Sequence, residues 1–301
     1  MSVTIFRRNR VNARIGSLMH SIIALAFLIV PTVMFGYFLM TIASSGVSAA
    51  QESVANAEIA KHPVRSQHGV LFDEGIISIT FDDGWKSVAT NAAPIMGEYR
   101  MVSTQYIITD YIGAKEYMSL GQIKALKDAG HEIGSHSASH VAIADEDDAS
   151  MAHEFIDSKS KLEALKLVEK DVRLNFAYPY GSKSARTNEF GKSHYYSLRG
   201  VSSFADGFND YDFNHRETFS RSERFTGVTI EKDTSLSQIK HALQYAKTNK
   251  AWLVINFHQI DDKNTEYSVS PKMFRNILLA VQDANIKTMT VSDALASFEE
   301  K

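Results

Sequence analysis

No cysteine occurs among the 301 residues, so disulfides and thiolate metal sites are excluded, and any metal must be held by His, Asp or Glu. Charge of either sign is missing from Ile15 to Ala50. Within that stretch Ile22 to Ile42 is strongly apolar and, at ~20 residues, long enough to cross a bilayer as a helix. A basic stripe is missing too. The formal net charge is −3, and Arg7, Arg8, Arg10 and Arg14 put +4 at the front with no acid among them, which leaves −7 for the remainder. A mildly acidic body argues against nucleic acid as a partner.

What is present is ordinary globular composition, 44% hydrophobic and 22% charged, in a length that holds one large domain or two small ones. Arginines on one side of the apolar run predict that residues 1–14 stay in the cytoplasm and the body is exported. A signal peptide would be cut after Val47-Ser48-Ala49; a transmembrane anchor over residues 15–43 suits the long run better. Either way the rest of the chain is expected outside the inner compartment, membrane-anchored and facing outward or the periplasm, or secreted. Residues 44–70 are polar, aperiodic and contain Pro63, and read as a linker to a domain over residues 71–301.

That domain alternates short apolar runs with longer amphipathic ones. Strands are expected at Ile76–Phe81, Ser103–Ile108, Glu132–Ser135, Asn175–Tyr178, Leu198–Ser203, Trp252–Phe257 and Lys287–Thr290. Helices are expected at Val88–Tyr99, Ser119–Ala129, Ala149–Glu169, Leu236–Thr248, Pro271–Ala284 and Val291–Phe298. Gly130 stands where a helix C-terminal cap belongs, and Ser270-Pro271 opens a helix with a capping serine. The alternation calls for an α/β fold with a parallel sheet, open or closed into a barrel. Arg199 to Ile230 breaks the rhythm and reads as a long aromatic-bearing loop.

Four strand ends carry groups that could do chemistry. Ile76 to Phe81 runs into Asp82-Asp83-Gly84, two adjacent acids that suit a cation or an acid/base task, or else a hairpin turn. His136 and His140 lie four residues apart, a spacing that puts both rings on one face if the stretch turns as a helix. Tyr178-Pro179-Tyr180-Gly181 reads as a turn, and His258 ends an apolar strand. In a parallel β/α fold the C-terminal ends of strands share one rim, where sites assemble.

Taken in order, Thr80-Phe81-Asp82-Asp83-Gly84, His136 with His140 after Gly134-Ser135, the Tyr178 to Gly181 turn and His258 resemble the successive motifs of the polysaccharide deacetylases of carbohydrate esterase family four, over roughly Ile76 to Phe298. The resemblance implies a distorted (β/α)7 barrel behind the N-terminal transmembrane or signal helix. It implies that Asp83, His136 and His140 are metal ligands, for Zn²⁺ or for Co²⁺, Ni²⁺ or Mn²⁺. Asp82 then corresponds to the general base, His258 to the general acid and the Tyr180 backbone N–H to the oxyanion donor. Tyr178, Pro179 and Trp85 become candidates for substrate contact.

Two positions depart from the family pattern. Ala177 stands where many members carry an arginine that pairs with the base, so either Arg199, Arg221 or Arg224 reaches in from another strand or the base is held differently and its pKa is less depressed. No segment matches the motif that orients the acid histidine; Asp206, Asp210, Asp212 and Asp233 are candidates. The acids Asp145 to Asp148 read as a helix start, and His131, His153, His194, His215 and His241 as packing or surface residues. The expected activity is metal-dependent removal of acetyl groups from an N-acetylated polysaccharide. An O-acetyl esterase of the xylan type and an inactive sugar-binding homologue are the rival expectations.

Overall fold

A computed structural model describes residues 74–170, 172, 174–204, 213–214 and 225–299, together with Ser53 and Asn56. The expected cytoplasmic start, the membrane or signal segment and most of the linker lie outside the described residues, as do Asp206, Asp210, Asp212, His215, Arg221 and Arg224. Among the described residues, no helix is long and apolar enough to cross a membrane.

Seven parallel strands form a closed ring: β1 (Ile76–Phe81), β2 (Thr104–Ile107), β3 (Glu132–Ser135), β4 (Asn175–Ala177), β5 (Ser197–Ser203), β6 (Phe225–Thr229) and β7 (Trp252–Phe257). β7 closes on β1 in register from Ile76 opposite Trp252 to Phe81 opposite Phe257. A short ribbon, β8 (Gln259–Ile260) with β9 (Ser268–Val269), follows β7 directly. The last strand, β10 (Lys287–Thr288), is not a stave. It pairs with the start of β1, while β2 pairs with the end of β1 at Thr80 and Phe81.

The helices are α1 (Ala93–Tyr99), α2 (Leu120–Asp128), α3 (Asp148–Ala152), α4 (Ser158–Ala164), α5 (Ala185–His194), α6 (Leu236–Thr248), α7 (Pro271–Asp283) and α8 (Val291–Glu299). Side chains of Ser119, Ser184, Ser235 and Ser270 cap α2, α5, α6 and α7 by accepting from the third backbone N–H of each helix. The single long helix expected over Ala149–Glu169 is instead α3 and α4 joined by a π-helical turn, His153–Asp157. β6 corrects the reading of Arg199 to Ile230 as a loop, α5 forms where no element was expected, and β6 supplies the seventh stave in place of Lys287–Thr290.

Alternation along each strand sorts the side chains. Ile77, Ile79 and Phe81 pack outward with Leu243 of α6 and Ile277 of α7, while Ile133, Phe176 and Leu198 pack with Leu126 of α2 and Leu162 of α4. The inner face is polar above its base. Trp252 Nε1 donates to Ser78 Oγ over 3.0 Å, and Thr80 Oγ1 donates to Asn256 Oδ1 over 3.0 Å. The base is closed by apolar groups, Ile76, Phe225 and Trp252 against Val291, Ala294 and Leu295 of α8. Glu132 ties α8 to the barrel by accepting from Ser292 N (3.1 Å), Ser292 Oγ (2.5 Å) and Thr104 Oγ1 (2.7 Å). With an apolar floor and a polar interior, the staves direct their polar side chains to the opposite rim.

Candidate active site

Because every stave runs the same way, the residues after β1, β3, β4 and β7 emerge together. Asp82, Asp83, His136, His140, Tyr180 and His258 line one cleft of about 350 Å³. The backbone there is strained. Of nine non-glycine residues with positive φ among those described, Arg100, Lys166, Lys250 and Asn285 follow helix ends, where that conformation is common. The other five follow no helix: Asn264 (57°) lies in the loop between β8 and β9, and Asp83 (71°), Ser137 (69°), His140 (64°) and Tyr180 (56°) belong to the cleft or its loops.

His136 and His140 come together through a tight loop with two left-handed residues, not through the helical turn their spacing suggested. Ser137 Oγ accepts from His140 N over 3.0 Å, which folds the loop back on itself. Glu154, in the π-helical turn and 2% exposed, accepts from Ala138 N (3.0 Å), Ser139 N (2.9 Å) and Ser139 Oγ (2.5 Å). Ser158 Oγ donates to Ser137 O over 3.0 Å. A buried carboxylate and a buried hydroxyl thus fix every residue between the two imidazoles.

Asp83 Oδ1 lies 3.4 Å from His136 Nε2 and 3.2 Å from His140 Nε2, is buried, and makes no hydrogen bond to either. One ligand atom from each of the three residues lies within 4.8 Å of the others. Lone pairs directed at a shared point rather than at one another are what a cation site requires. Two imidazoles with one carboxylate suit a divalent first-row ion. His136 Nδ1 donates to Ala177 O over 2.9 Å; the carbonyl can only accept, so the proton sits on Nδ1 and Nε2 keeps its lone pair. Burial would push the Asp83 carboxyl up, but the two imidazoles hold it well below the usual range. Burial likewise lowers His136, yet Asp82 and then Asp83 outweigh it and raise its pKa.

Asp82 is 2% exposed and divided in its duties. Its Oδ2 accepts from Arg199 Nη2 (2.5 Å) and Asn256 Nδ2 (3.0 Å); its Oδ1 is buried and unengaged. Burial opposes ionisation here, and the Arg199 guanidinium followed by His136 and His258 more than offsets it, leaving the carboxyl below its ordinary pKa. Arg199 therefore reaches Asp82 from β5, at the level where Ala177 lacks the side chain. Asn256 was not anticipated, although it lies two residues before His258 on the same strand face.

His258 Nδ1 is buried without a hydrogen-bond partner among the described residues, and its ring lies 4.8 Å from that of Tyr267. Burial lowers its pKa, against the pull of Asp82 and Asp83. Asp233 is exposed in the turn before α6 and is bonded to no atom of His258. Tyr180 carries its ring 4.5 Å from that of His140 and its hydroxyl 3.1 Å from His140 Nδ1. Tyr178 is among the residues that line the cleft, although it is fully buried and its hydroxyl donates to Asn188 Oδ1 over 3.0 Å. Trp85 donates from Nε1 to Asp83 Oδ2 over 2.8 Å and stacks on Tyr117, bracing Asp83, and is not among the residues that line the cleft. Pro179 is buried at the start of the turn.

Residues 71–198 match the family model described as polysaccharide deacetylase. A peptidoglycan-N-acetylglucosamine deacetylase of Bacillus cereus is 28% identical over 92 residues, which are 30% of this chain and 41% of that one. The chain spans 40% and 41% of the lengths of the curated relatives it matches. Among solved structures, a T48 deacetylase with substrate superposes with a TM-score of 0.53 at 18% identity, covering 76% of this chain and 94% of that one. The Xyl-CE4 domain of a multidomain xylanase from the hindgut metagenome of Trinervitermes trinervoides gives 0.51 at 19%, covering 76% and 91%. The two superpositions share the barrel, and over residues 71–198 the chain is similar to the polysaccharide deacetylase family, as the family model and the curated relatives agree.

Proposed function

We propose that this protein is a metal-dependent hydrolase that removes acetyl groups from an N-acetylated extracellular polysaccharide built on N-acetylglucosamine. One observation carries the reading: Asp83, His136 and His140 converge on a point, and the adjacent Asp82 keeps a buried, unengaged oxygen beside them. The relative named for peptidoglycan N-acetylglucosamine supports the substrate class. Export and tethering through residues 15–43 belong to the same reading and rest on the charge pattern alone.

Held by Asp83, His136 and His140, a divalent ion, zinc first among candidates, would polarise the acetyl carbonyl as a Lewis acid and acidify the attacking water. Asp82 Oδ1 takes the proton of that water, because Oδ2 is already occupied by Arg199 and Asn256. A carboxyl held below its ordinary pKa is ionised at neutral pH and present in the accepting form. His258 delivers a proton to the leaving nitrogen as the tetrahedral intermediate collapses to acetate and a free amine. The backbone N–H of Tyr180 is assigned to the developing oxyanion.

O-acetyl ester cleavage is a second reading, favoured by one feature. No described group supports the His258 imidazolium at Nδ1, and an ester oxygen leaves with less acid assistance than an amide nitrogen. The test is acetate release from N-acetylglucosamine oligomers and from acetylated xylan, with and without chelator, for the wild type, Asp82→Asn and His258→Ala. Release from the oligomers that needs metal, Asp82 and His258 supports the amide reading. Release from xylan that survives His258→Ala supports the ester. No acetate from either glycan in the presence of metal would leave a sugar-binding protein.

A further inference from the structure

Five large apolar side chains stand out as exposed among the described residues: Ile156, Val172, Tyr180, Tyr267 and Leu279. Only Tyr180 and Tyr267 line the cleft. They come from different places on the rim. Tyr180 follows β4, whereas Tyr267 precedes β9 in the ribbon after β7. In a ring of seven staves β4 and β7 are three positions apart, so the two tyrosines stand on opposite sides of the mouth. Each covers a histidine of the site, Tyr180 over His140 at 4.5 Å and Tyr267 over His258 at 4.8 Å between ring centroids. Tyr180 is 70% exposed and Tyr267 43%, leaving part of each ring open to solvent.

The ribbon that presents Tyr267 is held firmly. Tyr267 O accepts from Gln259 N over 3.3 Å. Ser268 Oγ donates to Asp261 Oδ1 over 2.9 Å, and Asp261 Oδ1 also accepts from Lys263 N over 3.1 Å, which closes the intervening loop. From below, Asn91 Nδ2 donates to Ile260 O over 2.7 Å and Ser87 Oγ accepts from Ile260 N over 3.1 Å. A half-exposed aromatic on a braced ribbon loses little conformational freedom when a ligand covers it.

We infer that Tyr267 forms a carbohydrate subsite of its own, stacking on the apolar C–H face of a pyranose ring beside the one being deacetylated. This rests on the proposed function for the identity of the reacting sugar. The ligand class is a linear pyranose chain laid across the barrel mouth between Tyr267 and Tyr180, not a lone monosaccharide.

The experiment compares wild type with Tyr267→Ala, Tyr267→Phe and Tyr267→Trp in the zinc-loaded protein. Its substrates are a pentamer of N-acetylglucosamine and 4-nitrophenyl acetate, and pentamer binding is measured by calorimetry. Tyr267→Ala is expected to raise KM for the pentamer about tenfold with a much smaller change in kcat. The preference for pentamer over small ester should fall by about the same factor, and Phe or Trp should restore it. An equal loss on both substrates would mean that Tyr267 acts only by covering His258, and overturns the subsite. Wild-type protein that releases no acetate from the pentamer defeats the proposed function instead. In that event calorimetry still decides, since unchanged pentamer affinity in Tyr267→Ala overturns the subsite by itself.

Discussion

Arg199 Nη2 donates to Asp82 Oδ2 across 2.5 Å, joining β5 to the end of β1 through the barrel interior with both side chains almost wholly buried. The guanidinium also lies over the Tyr106 ring, 5.1 Å from its centroid. The pair holds the proposed base in one rotamer and in its ionised form.

Removing that cation should therefore harm activity and stability together. In Arg199→Met the Asp82 pKa rises, because burial then acts with less opposition. The acid limb of the pH–rate profile should move to higher pH, and kcat at neutral pH should fall by at least about tenfold. An uncompensated buried carboxylate costs ~3–5 kcal/mol of folding stability. For a carboxyl whose folded pKa is depressed, the contribution is present above its unfolded pKa and lost as pH falls through the folded value. The wild type should consequently lose more stability on acidification than the variant. Denaturant titration across pH, with the rate profile, checks both signs.

Trp85 provides a test of the proposed ligand set that leaves Asp83, His136 and His140 in place. Trp85→Phe removes the 2.8 Å hydrogen bond to Asp83 Oδ2 while keeping an aromatic ring against Tyr117. Losing such an outer partner typically weakens metal affinity ~10–100-fold. Competition with a zinc chromophore measures it directly. Unchanged affinity would show that Asp83 needs no support from Nε1.

Much of this site is legible in the sequence because it lies at strand ends whose interiors are plainly apolar. Ile76–Phe81 and Trp252–Phe257 announce β1 and β7, and the polar residues that follow stand out against them. β6 is hidden for a physical reason. Its central Gly227 faces Arg199, and a β-carbon there would lie 3.1 Å from Arg199 Cδ. The stave thus gives up a large apolar residue to let the guanidinium pass, and its hydrophobic signal goes with it. α5 is short and polar, and its one sequence mark is the Ser184 cap. Glu154 is invisible for a different reason, since an acid on an amphipathic helix normally faces solvent. Only the folded loop reveals the three donors that draw it inside.

That loop gives a third prediction. Glu154→Ala strands the N–H groups of Ala138 and Ser139, both now held by Oε2, and frees the Ser139 hydroxyl from Oε1. An unsatisfied buried donor costs ~1–3 kcal/mol. Because the freed segment lies between two proposed ligands, zinc affinity should fall with stability, and His140, whose Nδ1 meets only the exposed Tyr180 hydroxyl, should be displaced more than His136, whose buried ring is held by Ala177 O. Zinc titration followed by imidazole NMR would resolve the two. Lost stability with undiminished zinc affinity would make Glu154 a fold residue only.

His131 should set a pH dependence of folding that has nothing to do with the cleft. Its Nδ1 accepts from Ser103 N (3.2 Å) and Ser103 Oγ (2.7 Å), and Ser103 Oγ in turn accepts from Gln105 Nε2 (2.8 Å). Two donors on one nitrogen require its lone pair, so the ring is neutral with its proton on Nε2. Burial lowers its pKa from 6.5 to about 4. Between those values the unfolded chain binds a proton that the folded chain refuses, so stability falls as pH drops through that window. The full effect is about 3 kcal/mol. In His131→Gln this component of the slope should vanish while the steeper loss from Asp82 and Asp83 at lower pH remains. Urea denaturation at half-unit pH steps separates the two, and a variant whose slope between pH 6.5 and 4 matches the wild type would show that His131 is protonated in the folded barrel.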